Sequence, residues 1–309
     1  MSRVGVRTRP TVDALGASRS RSQPSGRVGH VGRGLTALVA LWFVLPLVPI
    51  LLWALADQWN YPGVLPQRFG IRGWGAVANT DTLLALGRSA ALGTGVAIVA
   101  TVAGAAAGRA IGWRLVRRRG LLGVVLLAPV ALPPFAVAMG LTPVLLRARV
   151  PETLGVAVVL SVFALPYTCY VFAAAYAGID PALEDQARLL GATPRQALLR
   201  VTLPTLRPAI AAAAFLAFLV GWSDYIVTLV IGGGQLVTLP LLIAAAASGS
   251  GNEPVLAALS VVSVLPPVLA LLIGRRLVGR RARGSLRASG DGDGDGDGDG
   301  YQLRSQALS

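Results

Sequence analysis

The chain has 309 residues, 54% hydrophobic and 14% charged, with a formal net charge of +14. All 28 basic residues are arginine, which excludes a phosphate-loop lysine and a Schiff-base lysine. A single histidine, His30, and a single cysteine, Cys169, exclude a zinc site, a disulfide framework and a Cys-His pair. No catalytic residue, cofactor or metal is expected.

The apolar residues fall in runs of about 20, the length that crosses a hydrocarbon core. The arginines lie at the ends of those runs rather than on one soluble face, so the charge reads as membrane topology and not as nucleic-acid binding. Residues 1–34 form an Arg-rich arm, with His30 a solvated tail residue. Six spans follow: Leu35 to Leu55, Ser89 to Gly108, Leu121 to Leu146, Gly155 to Ala177, Ala209 to Ile231 and Val255 to Ile273. The fold class is an all-α polytopic membrane protein. Ala54-Leu55-Ala56 resembles a signal-peptidase site, but the run before it is longer than a cleaved signal, so the first span reads as a retained anchor. The segment from Asp57 to Gly87 carries Trp59, Tyr61 and Trp74, read as interfacial aromatics.

Several spans contain proline: Pro46 and Pro49, Pro129, Pro133-Pro134, Pro166 and Pro266-Pro267. Such kinks are tolerated where other helices or a cavity satisfy the freed carbonyls. Gly93 to Gly108, with Gly104 and Gly108 in a G-x-x-x-G spacing, and Ala209 to Ala214 favour close helix packing. Cys169 reads as a buried thiol. Seven arginines precede the first span, five lie between spans two and three, four between spans four and five, and seven after span six; five remain for the other side. The positive-inside rule then puts both termini and the loop after span four in the cytoplasm. The membrane-spanning body covers 35–274. A tail of 275–309 ends in an alternating Gly-Asp repeat, Gly290 to Gly300, which reads as disordered because the position of a calcium-loop glutamate is Gln302.

The cytoplasmic loop, residues 180–204, has the grammar of two short helices. Asp180 caps the first, Pro181 begins it, and Glu184 and Asp185 lie where a helix N-terminus favours carboxylates. Gly191 stops it in the left-handed conformation. Thr193, Pro194 and Gln196 start a second helix with a capping-box spacing, ended by Leu203-Pro204. In span five, Asp224 is a carboxylate at membrane depth, which marks either a pathway or a structural hydrogen bond. Trp222, Ser223, Tyr225 and Thr228 are the candidates to line a cavity with it.

The loop resembles the signature of permease subunits of binding-protein-dependent ABC importers, the MetI-like family, E-A-A-x3-G-x9-I-x-L-P. Asp185 stands at the Glu, Gln186 and Ala187 at the alanines, Gly191 at the glycine, Val201 at the isoleucine, and Leu203 and Pro204 at the final pair. The resemblance implies a MetI-like fold whose coupling helix docks on a separate ATPase subunit. Asp185 and Arg188 would supply charged contacts and Leu189 and Leu190 apolar ones; Gly191 would supply the turn, with Glu184, Ala187, Leu203 and Pro204 completing the coupling segment. Implied partners are two ATPase subunits, a second permease (itself or a sister) and an extracytoplasmic solute-binding protein, in a bacterial inner membrane. The run from Tyr225 to Leu242 is similar to permeases for polyamines, ferric iron, thiamine and phosphonates. An ion-driven secondary transporter and a non-transporting assembly factor are the rival classes; the first would usually carry more intramembrane carboxylates or inverted halves.

Overall fold

A computed structural model describes residues 36–288 apart from 37, 40, 43, 61 and 250. The N-terminal arm with His30, Leu35 at the start of the first span, Tyr61 and the Gly-Asp repeat lie outside the described residues. The chain separates into two units, Met1–Pro49 and Ile50–Ser309. The described residues of the first are mostly helical and exposed. Helix α1 (Leu47–Ala54) runs across the division and leads into β1 (Ala56–Gln58).

In the second unit, β1 pairs antiparallel with β2 (Arg68–Phe69), and α2 (Arg72–Val77) follows. From sequence this stretch was read only for its interfacial aromatics. It is also pinned by side chains: the Arg72 N–H donates to Asp57 Oδ1 at 2.9 Å, and Trp74 Nε1 donates to the Ala54 carbonyl at 2.9 Å. Helix α3 (Thr80–Gly112) extends beyond the expected second span at both ends; at its start Asn79 caps it by accepting from the Asp81 N–H.

The expected third span is not one helix. Helices α4 (Arg119–Ala131) and α5 (Pro134–Arg147) meet at 94°. Leu132 is forced extended by the proline after it, while Pro134 suits a first helical position, so the pair breaks and restarts the chain at one point. Helix α6 (Glu152–Ala177) matches the expected fourth span. The loop beyond it holds α7 (Ala182–Leu189), α8 (Pro194–Ala197), a π-helical turn (Leu198–Thr202) and α9 (Leu203–Thr205).

Leu203-Pro204 does not end the second short helix. Pro204 has no N–H to return to the Arg200 carbonyl, and the preceding turn widens so that Leu203 N–H reaches Leu198 O. The helix ends at Thr205 and turns 74° into α10 (Arg207–Ser223). The expected fifth span is broken too: α11 (Ile226–Gly232) restarts after Asp224-Tyr225. A short helix that the sequence reading passed over, α12 (Leu239–Ala247), precedes α13 (Glu253–Ala288), which continues past the tail boundary drawn at residue 275.

Among the described residues, three helices are long and apolar enough to cross a membrane, α3, α6 and the Glu253–Arg276 part of α13; counting each bent pair as one span gives up to five. The core sits where α3, α6 and α10 meet, around Val96, Ala100, Val156, Leu160, Ala164 and Ala217. Small residues make this approach possible. A Cβ on Gly104 would lie 2.1 Å from Thr168 Oγ1, and one on Gly108 would lie 2.4 Å from Phe172 Cβ. The Thr168 hydroxyl donates to the Ala100 carbonyl across the interface at 2.9 Å. Leucines and valines such as Leu121, Val124 and Val125 on α4 stay exposed, as an apolar surface does when its solvent is lipid.

Gly108→Leu is expected to destabilise the bundle by about 1–3 kcal/mol through overpacking against α6. Gly95→Leu, which faces open space on the same helix, should be close to neutral. Thermal unfolding of the detergent-solubilised chain checks this; equal midpoints for the two variants would contradict it.

Candidate functional site

Two constellations stand out at different levels of the bundle. The first is the helix pair α7–α8. Asp180 Oδ1 accepts from Ala182 N–H at 2.9 Å, so the aspartate caps α7 although the helix is counted from Ala182. Gly191 has φ +90°, the left-handed conformation that lets α7 stop and the chain turn at once. At α8 the capping box is complete: Gln196 N–H donates to Thr193 Oγ1, and Thr193 N–H donates to Gln196 Oε1 at 2.9 Å.

These caps give the segment two chemically different faces. Leu189 is 87% exposed and Leu190 89%, and Asp185 also faces outward. Arg188 is half exposed and lies 3.8 Å from both Asp185 and Glu184. Glu184 points the other way and is only 6% exposed. Its Oε2 accepts from Arg109 Nη2 at 2.7 Å, and its Oε1 accepts from the Thr202 hydroxyl. Grouped with outward-facing residues on sequence grounds, Glu184 in fact belongs to the inward face, because position 184 falls on the side of α7 that meets α3 and the π-turn. Ala187 and Pro204 are partly buried, and Leu203 is partly exposed.

The second constellation is a cavity of about 430 Å³ lined by Pro129, Leu132, Pro134, Phe163, Tyr167, Ser223, Asp224 and Tyr225, among others. Both helix breaks, α4/α5 and α10/α11, open onto it. Asp224 is extended and caps α11: its carboxylate accepts from Val227 N–H at 3.3 Å and from Thr228 N–H and Oγ1, each at 2.8 Å. Among the described residues no arginine reaches it within ion-pair distance. Asp224 is therefore a structural cap, as one reading of the sequence has it, and its carboxylate also lines a cavity. Trp222 and Thr228 do not line this cavity. Trp222 is buried, stacks on Phe218 and donates to the Ser263 carbonyl at 3.0 Å, while Thr228 is fully buried beside Asp224.

Comparison with known proteins decides the family. Residues 100–284, more than half the chain, match the family model of the binding-protein-dependent transport system inner membrane component. The chain belongs to this family of ABC transporter permeases. PhnV of Salmonella typhimurium, named for a 2-aminoethylphosphonate transport system, is 27% identical over 83% of this chain and 97% of its own length. SugB of Mycobacterium tuberculosis, a trehalose transport system permease, is 33% identical over 40% of this chain and 47% of its own. PotI of Escherichia coli, a putrescine transport system permease, is 32% identical over 26% of this chain and 29% of its own. In structure, the chain is similar to a bacterial ABC transporter involved in import of the acidic polysaccharide alginate, with a TM-score of 0.60 at 16% identity over 82% of this chain and 98% of that one. That likeness concerns the fold.

Among the side chains that tie or line these two constellations, Arg109, Thr202 and Tyr167 were not singled out from sequence, and Pro129 was read only as a kink. Arg109 had been counted only as a topology charge; its place at the end of the G-x-x-x-G face was the available signal. Tyr167 gave none and Pro129 only its proline, since they become neighbours of Asp224 only when both spans break.

Two caps can be tested separately. Thr193→Ala should cost about 1 kcal/mol locally and speed amide exchange at residues 195–197. Asp224→Ala should do the same at 227–228, while Asp224→Asn, whose one carbonyl oxygen can still accept one of the two amides, should have a smaller effect.

Proposed function

We propose that this permease is the membrane subunit of an ATP-driven importer, and that α7–α8 is its docking element for a separate ATPase subunit. The observation that carries this reading is the pair Leu189-Leu190: two large apolar side chains almost fully exposed on a short helix whose ends are both capped and whose opposite face is tied inward. Exposed leucines beside Asp185 and Arg188, on a segment that cannot bend independently, suit a partner groove. Arginine bias supports a cytoplasmic position for this element and for both termini. The layout is an arm (1–34), a permease body (35–274) and a tail (275–309). With the first apolar run counted, α3, the α4–α5 pair, α6, the α10–α11 pair and α13 make six spans. A second permease, two ATPase subunits and an extracytoplasmic binding protein complete the transporter.

The solute reading follows from the cavity. Asp224 presents the charged group at the junction of two broken helices, and discontinuous helices lining a midplane cavity are a recurrent substrate site in transporters. A small solute carrying an ammonium group fits that carboxylate. The relatives named for 2-aminoethylphosphonate and putrescine transport support an amine; the one named for trehalose does not.

Leu189→Asp with Leu190→Asp should abolish co-purification of the ATPase subunit while the chain still inserts. Vesicles holding the complete transporter should take up labelled 2-aminoethylphosphonate or putrescine only with ATP, and Asp224→Asn should lower that uptake about tenfold, ~1.4 kcal/mol. Uptake by this chain alone, without an ATPase subunit, would defeat the proposal.

A further inference from the structure

We infer that Arg109 is a positioning residue for coupling: its ion pair with Glu184 is the joint through which movement of α7 is carried into α3, an inference that rests on the docking role proposed for α7. The backbone of α7 packs mainly against α8 and the π-turn, and its tie to α3 runs through side chains. A single carboxylate gathers those side chains. One oxygen of Glu184 holds Arg109 of α3 at 2.7 Å, with Arg188 of α7 at 3.8 Å, and the other accepts from Thr202 of the π-turn.

The joint continues past α3. The Arg109 guanidinium lies 4.5 Å from the centroid of the Trp113 ring, and Trp113 meets Tyr176 of α6 edge-on at 5.1 Å. The guanidinium is thus held from two sides, by a carboxylate and by an aromatic face, each favourable to a delocalised cation. An enclosed carboxylate losing its cation is left as an uncompensated buried charge, so the contact does not slip by small degrees. Its position is set by the glycines of α3: Gly104, Gly108 and Gly112 draw α3 onto α6, and Arg109 emerges on that same stretch, within reach of Glu184. A surface ion pair would flex under load. This one joins four elements around a buried carboxylate.

The test uses the chain purified with its ATPase subunit in lipid, with Cys169→Ala and spin labels at Leu183→Cys on α7 and Val102→Cys on α3, both exposed positions. With the joint intact, the distance between the labels should be the same without nucleotide and with ATP and vanadate. Arg109→Gln and Glu184→Gln should each keep the ATPase subunit bound but shift and broaden that distance only in the ATP-vanadate state, and the exchange Arg109→Glu with Glu184→Arg should restore it. An unchanged distance in the single variants overturns the inference. So does a shift already present without nucleotide, which marks a purely structural role, or a failure of the exchange to restore. Should the neutral variants not insert, Arg109→Lys, which keeps the charge but loses the planar fork, should show a smaller ATP-dependent shift; identity with the unmutated chain again overturns it. Loss of the docking role is distinguishable, because the ATPase subunit would then fail to co-purify with the unmutated chain.

Discussion

The close approach of α3 to α6 sets the geometry of this protein. Side chains larger than hydrogen at 104, 108 and 112 would collide with Thr168, Phe172 and Ala173, so the two backbones touch along one seam. In a bilayer the surrounding lipid is as apolar as leucine, and dispersion contacts across such a seam replace the hydrophobic driving force of a soluble core. The interhelical bond from Thr168 to the Ala100 carbonyl strengthens the same seam. Helix α10 packs against α3 as closely, where a Cβ on Gly221 would lie 2.8 Å from Gly93 Cα.

Both constellations hang on this three-helix core, and each uses an interruption of regular structure. At one level, the 94° break at Pro133-Pro134 and the break at Asp224-Tyr225 free backbone groups beside the same cavity. Asp224 satisfies the amides of its own restart, so the cost of a carboxylate there is partly offset by the caps it makes. At the other level, the π-turn before Pro204 widens the helix and turns Thr202 inward to Glu184. The permease therefore keeps long, tightly packed helices at its centre and places its helix breaks in the elements packed around them.

The two faces of α7 show how one short helix serves two demands. Its inward side is fixed by a carboxylate that has three polar partners, and its outward side presents leucines that a monomeric soluble surface would rarely expose. Rigidity on the first side makes the second a surface of defined shape.

Much of this was legible in the residues themselves, because it depends on local rules. Apolar run length marked the membrane class, Gly191 and the Thr193–Gln196 pair marked a stop and a start, and the G-x-x-x-G spacing marked the seam; each signal lies within a few residues of its effect. The splitting of spans three and five was less accessible, since apolar composition is the same on both sides of a break and only packing decides whether proline or aspartate kinks a helix or divides it. The inward turn of Glu184 lay beyond any local rule. It depends on Arg109, 75 positions away, being brought to the end of α7 by the contact of α3 with α6, and a glutamate in a helix N-terminal turn reads the same in sequence whether it meets water or a guanidinium.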